Sequence, residues 1–169
     1  NAIEGPHAFS AFTASVLQLR PESVGHLKLV SANADDHPEI HPNYLATETD
    51  QNTIVKGIQI ARKIAQFEPL KAHVTEEYQP GHEVGMDDYD ATLNWARNTA
   101  VTIYHPTGTC KMGSDPMAVV DHRLRVHGLQ GLRVADASIM PVITSGNTNA
   151  PSIMIGEKVS DMILEDAVL

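Results

Sequence analysis

Three short stretches carry side chains suited to moving a proton or steadying an oxygen. His105 lies between Tyr104 and Pro106-Thr107-Gly108. Imidazole titrates near neutrality, so it accepts a proton at pH 7 and returns it. Pro106 and Gly108 fix the local backbone in a turn and so restrict where the ring points. Asn147 and Asn149 flank Thr148 just ahead of an apolar run. An Asn amide donates a hydrogen bond to a substrate oxygen, and a helix N-terminus offers free N–H groups and partial positive charge to an anion. Asp136 ends the run Leu132-Arg133-Val134-Ala135, and the N–H groups of such a turn suit a ribose or a diphosphate. Each residue also has a plainer role open to it. A histidine can be satisfied by backbone groups, Asn ahead of a helix commonly caps it, and Asp at a strand end can cap a turn.

The elements that must position these residues are predicted from periodicity and breakers. Residues 8–20 read as extended up to Pro21, and His26–Ser31 alternates as a half-buried strand with Leu27 and Leu29 on one face. Residues 32–48, with Pro38 and Pro42, read as a loop. Asp50 is the expected cap of a helix to about Phe67, with Ile54, Ile58, Ala61 and Ala65 on one face, stopped by Glu68-Pro69. Lys71–Tyr78 reads as a strand, and Asp87 or Asp88 opens a second helix to about Thr99 that packs through Leu93 and Trp95. Short strands are expected at Val119–Asp121, Leu124–Val126 and Leu132–Ala135, with a turn over residues 128–131. A last helix starts near Ala150-Pro151 and buries Ile155, Val159, Met162 and Ile163. Strands and helices do not alternate as βα units, so the expected class is α+β, an antiparallel sheet backed by helices.

Composition narrows the function classes. Twelve basic residues against 21 acidic give a net charge of −9, which argues against a nucleic-acid binder. The single cysteine, Cys110, excludes an intrachain disulfide and a CxxC metal knuckle. Lys111 beside it would favour a thiolate, although burial is the commoner fate of a lone cysteine. His37 and His41 have the spacing of two metal ligands on one helix face, but Pro38 and Pro42 oppose that helix, so no metal is expected. Gly108 to Gly113-Ser114 lacks the lysine of a phosphate loop. No apolar run is long enough to span a membrane, and a cytoplasmic location is favoured. The start Asn1-Ala2-Ile3-Glu4-Gly5 has neither Met nor a signal pattern and reads as a cut end of a longer chain.

Taken together, the segments resemble the C-terminal part of the glucose–methanol–choline (GMC) oxidoreductases, most of all their choline dehydrogenase and alcohol dehydrogenase branch. The likeness is loose in Leu19-Arg20-Pro21-Glu22-Ser23-Val24-Gly25 followed by Leu27-Lys28-Leu29. It is specific in His105-Pro106-Thr107-Gly108-Thr109, Val120-Asp121, Gly131 through Ser138, Pro141, Asn147-Thr148-Asn149 and Gly156-Glu157. The resemblance implies a substrate-binding lobe over residues 1–105 and a catalytic, flavin-facing segment over 106–169. The final strand and helix would pack on a Rossmann-type FAD-binding lobe that this chain lacks, since no G-x-G-x-x-G occurs in it. It further implies His105 as the base that takes an alcohol's hydroxyl proton while hydride passes to flavin N5, with Asn147 aligning the substrate. Asp136 and Ala137 would lie near the FAD diphosphate, and Thr148, Asn149 and Ala150 near the ring. The partners implied are a small alcohol and the N-terminal FAD-binding part of the same polypeptide. Alone, the chain is expected to hold no flavin and to turn nothing over. A hydroxynitrile-lyase-like activity and a noncatalytic binding domain remain as alternatives, and a metal-dependent hydrolase through His37 and His41 is more distant.

Overall fold

The computed structural model describes residues 7–167, so the reading of Asn1–Gly5 as a cut end falls outside the described residues. In chain order the elements are β1 (His26–Lys28), β2 (Glu39–His41), α1 (Glu48–Ile64), α2 (Tyr89–Thr99) and α3 (Asn149–Ala167). Single 3₁₀ turns lie at Leu70–His73 and Ala137–Ile139. This is the mixed helix and antiparallel-sheet class expected. The described chain divides into two compact units, one built from residues 7–18 with Gln51–Thr99, the other from Leu19–Asp50 with residues 100–167.

In the first unit Val55 and Ile58 of α1 are buried. The run ahead of Gln18, expected to be extended, forms no strand, and it lies on this helix at Val16 and Gln18. Gly57 makes the approach possible: a Cβ there would come within 2.6 Å of Val16 Cγ1, and Gln18 Nε2 donates to Thr53 Oγ1 at 3.3 Å. Arg62 forks onto Glu77 with two bonds of 2.8 Å and also donates to the Val84 and Gly85 carbonyls. That anchoring bears on the expected strand at Lys71–Tyr78, which does not form. Leu70–His73 turns as 3₁₀, and no ladder follows, because a strand needs a neighbour for its backbone groups and Arg62 ties this segment to a helix instead. α2 is capped by Asp88, whose Oδ1 accepts the Ala91 N–H at 2.9 Å. Thr92, Leu93 and Ala96 are buried, and Trp95 is half-buried.

The second unit holds a hairpin and the core. β1 and β2 pair antiparallel with His26 opposite His41, Leu27 opposite Ile40 and Lys28 opposite Glu39. β2 lies inside the stretch expected to be loop. Three residues between two prolines give too little alternation for a strand to be visible. Nor is β1 half-buried, because all six strand residues are exposed. α1 begins two residues before the expected cap: Thr47 Oγ1 accepts the Asp50 N–H at 3.3 Å, which places Asp50 at the third helical position. The Asp50 carboxylate, 3% exposed, instead accepts the N–H groups of Glu22 at 3.0 Å and Ser23 at 2.8 Å.

Val120, Leu124, Ile139, Met140, Ile155 and Val159 form the buried cluster of this unit. The strands expected at 119–126 and 132–135 are only isolated pairings, Val120 with Val126 and Arg125 with Arg133. The chain reverses too soon for more. Asp121 Oδ1 accepts the N–H groups of Arg123 and Arg125 at 2.8 and 2.9 Å, and Leu124 is left-handed at φ 61°. α3 closes the core with Ile155 and Val159, each worth about 1.5–3 kcal/mol if fully buried. Met162 is half-buried, but Ile163 is 49% exposed. At about 100° per residue Ile163 falls some 80° off Ile155, while Asp166 falls only about 20° off. The buried face of α3 therefore runs from Ile155 to a carboxylate, not to Ile163.

Candidate active site

His105 leaves a left-handed Tyr104 (φ 63°) and runs toward a left-handed Gly108 (φ 87°). A Cβ on Gly108 would meet the Met140 carbonyl oxygen at 3.3 Å, so glycine meets both demands of that corner, open torsion and close approach. A residue other than glycine at positive φ is strained unless its surroundings hold it there. Tyr104 is held in part by its N–H, which donates to Thr102 Oγ1 at 3.0 Å. The backbone beyond is tied to the turn after Asp136: the N–H groups of Cys110 and Met112 donate to the carbonyls of Ser138 and Ile139 at 3.0 and 2.8 Å.

The half-buried His105 ring meets the start of α3. Its Nδ1 lies 2.9 Å from Thr148 Oγ1, and the Thr148 N–H points at the same nitrogen from 3.4 Å. Thr148 is 7% exposed and occupies the position immediately before the helix. The helix takes over at its carbonyl, which accepts the Ser152 N–H at 3.0 Å and the Ser152 hydroxyl at 2.6 Å. Asn147, the neighbour of Thr148, is exposed, as are Asn149 and Ala150 in the first turn. The loop that delivers them is braced by Arg20, whose Nε donates to Ser145 Oγ at 2.6 Å, and Gly146 turns it at φ 142°.

The fold thus brings His105 against Thr148, the residue between Asn147 and Asn149, across 43 residues of sequence. Asp136 caps the Ala137–Ile139 turn, with Oδ1 accepting the Ser138 N–H at 2.8 Å. Cys110 is a half-buried free thiol. His37 and His41 do not share a helix: His41 lies in β2, stacked on His26 at 4.6 Å and 3.3 Å from Glu39 Oε2. Sequence reasoning missed Thr148 as the partner of His105 and Arg20 as the brace. The first had a readable signal in Pro151, three residues after Thr148, which has no N–H for a capping hydroxyl to satisfy.

The strongest charge cluster was also missed. Asp166 receives Arg125, Arg133 and Arg123, the last at 3.0 Å, and Arg123 also reaches Glu165 at 2.9 Å and the Met162 carbonyl at 3.1 Å. The hydrogen bond from Arg125 does most to hold the Asp166 carboxyl down at about 2, with Arg133 and the charge of Arg123 helping and desolvation opposing. Arg123 Nε is buried without a partner among the described residues. This network pins the end of α3 and touches none of the residues around His105.

Known proteins share this arrangement of sequence and backbone. The family model for GMC oxidoreductase matches residues 21–156. Mouse (Mus musculus) mitochondrial choline dehydrogenase is 48% identical over 161 residues, 94% of this chain and 26% of its own length. The alcohol dehydrogenase (acceptor) of Pseudomonas putida is 46% identical over 153 residues, 90% of this chain and 27% of its own. Among solved structures, pyridoxine 4-oxidase from Mesorbium loti superposes with a TM-score of 0.78 at 32% identity, covering 85% of this chain and 28% of that one. A formate oxidase variant from Aspergillus oryzae RIB40, solved for its effect on FAD modification, gives 0.80 at 32% identity, covering 88% of this chain and 26% of that one. The chain spans about a quarter of the length of these relatives. With a family match over residues 21–156 and identities near one half, this chain belongs to the GMC oxidoreductase family.

Proposed function

We propose that this chain supplies the C-terminal, catalytic part of an FAD-dependent oxidoreductase that converts an alcohol to an aldehyde. The observation that carries the reading is the 2.9 Å contact between His105 Nδ1 and Thr148 Oγ1, which seats an imidazole beside the exposed Asn147. His105 Nε2 takes the hydroxyl proton of the substrate. The Asn147 amide donates to the same oxygen and fixes which carbon-bound hydrogen faces the acceptor.

Residues around the α3 start fit FAD. Asn149 and Ala150 are exposed in the first turn of α3, where helical N–H groups have no intrahelical partner and favour negative charge. A Cβ on Gly146 would meet nothing within 4 Å, so the backbone beside Asn147 is open to a flat ring. Thr148, Asn149 and Ala150 would flank that ring, and Asp136 with Ala137 would lie toward the diphosphate. When bound, FAD supplies the hydride acceptor. Residues 1–105 serve as the substrate-binding lobe and 106–169 as the catalytic segment, working with an FAD-binding part of the same polypeptide. Choline and simple primary alcohols are the first substrates to assay, given what the relatives are named for.

H105A in the full-length flavoprotein tests this. Loss of the base lowers kcat by about 10²- to 10⁴-fold in anaerobic reduction of the flavin by alcohol, monitored by its absorbance. Unaltered reduction would remove His105 from the chemistry.

A further inference from the structure

Thr148 stands where a residue normally turns its hydroxyl on the helix it precedes. The usual partner is the N–H of the second or third helical residue. In α3 the third residue is Pro151, which has no N–H. The hydroxyl faces His105 instead, at 2.9 Å from Nδ1, in a side chain withdrawn from solvent. The Thr148 backbone N–H approaches the same nitrogen at 3.4 Å.

These two neighbours ask opposite things of the ring. A backbone N–H only donates, so it favours a bare Nδ1. A hydroxyl both donates and accepts, so it tolerates Nδ1–H. A neutral imidazole carries one ring proton. If that proton is on Nε2, the ring has no lone pair there to take a proton from substrate. If it is on Nδ1, Nε2 is a base. The hydroxyl fits a ring protonated on either nitrogen, and of the two neighbours it alone can accept from Nδ1–H and so leave Nε2 a base.

We propose that Thr148 is the positioning residue for His105. Nδ1–H donates to Thr148 Oγ1, which holds the neutral ring with Nε2 bare. The same bond remains in place, now charge-assisted, after Nε2 has gained a proton. The bond from Nδ1–H to Oγ1 does not have to change during the step, and at the third helical position Pro151 offers no N–H to compete for the hydroxyl. This rests on His105 being the base proposed above.

The test uses the full-length flavoprotein with ring-¹⁵N histidine, read by kcat, KM and the ¹⁵N shifts of His105. T148V removes the hydroxyl, leaves the donating backbone N–H at Nδ1 and moves the ring proton to Nε2. The expected result is a fall in kcat of about 10- to 100-fold, little change in KM and a reversed pair of ¹⁵N shifts. T148S restores the hydroxyl and keeps most of the rate. T148A takes the place of T148V if the latter does not fold. A T148V enzyme with unchanged kcat and a protonated Nδ1 overturns the proposal. So does a T148S enzyme as slow as T148V, since the methyl group would then be what matters. H105A at the parent rate refutes the base itself, and the ¹⁵N shifts then still decide whether Thr148 sets the tautomer.

Discussion

Removing the Asp50 carboxylate gives the sharpest test of how residues 22–23 are held. Asp50 is 3% exposed and accepts two backbone N–H groups, from Glu22 at 3.0 Å and Ser23 at 2.8 Å. Hydrogen bonds to a charged acceptor contribute about 1.5–3 kcal/mol each, so the pair sets an upper limit near 6 kcal/mol. Glu22 is exposed, and its N–H regains water once the carboxylate is gone. D50A should therefore cost about 2–4 kcal/mol. D50N keeps one acceptor but turns an amide NH₂ toward the other N–H, for a loss of about 1.5–3 kcal/mol. Amide hydrogen exchange at Glu22 and Ser23 reads the local opening free energy, and urea unfolding reads the global value. If D50N exchanges at the parent rate at both positions, the carboxylate is not what holds this turn.

Two further predictions follow from the second unit. The Asp166 carboxyl is held at about 2 against an ordinary value of 3.8. A depressed folded-state value adds stability that is fully present above about pH 4 and is lost as pH falls toward 2. D166N should be less stable than the parent at pH 7, with the gap closing through that window in denaturant titrations; a constant gap would refute the linkage. Gly25 packs so closely on the hairpin that a Cβ would lie 2.0 Å from the His41 carbonyl oxygen and 2.6 Å from that of Pro42. G25A should break the β1–β2 pairing, seen as faster exchange of the strand amides and readier proteolysis across residues 26–41. Retained protection would show that the backbone yields without losing its register.

Elements with a long apolar period were legible in the sequence, and short ones were not. α1, α2 and α3 came from stripes such as Val159 falling four residues after Ile155, and from Asp88 ahead of α2. β2 rests on its pairing with β1 and the close approach of Gly25, and the turn at Leu70–His73 on bonds such as Lys71 N–H to the Phe67 carbonyl, and neither leaves a periodic trace. The cap of α1 shows how local rules compete: Asp50 looked like the N-cap, but Thr47 took that position because the Asp50 carboxylate is used by a distant turn. For the candidate site, the residue types at 105 and 147 were legible. The Thr148 hydroxyl was not, because its partner lies 43 residues back along the chain.

That separation ties the integrity of the site to the integrity of the core. Between His105 and Thr148 the chain folds back through the bonds from Cys110 to Ser138 and from Met112 to Ile139, and through the packing of Val120, Leu124 and Met140. No local turn could reassemble the imidazole and the hydroxyl if those braces parted. Melting this part of the molecule therefore separates the two groups in the same event that exposes its apolar interior, and any heat or denaturant titration of the intact protein should lose proton-transfer competence and native tryptophan-independent core signals, such as methyl resonances of Val120 and Ile139, at a common midpoint.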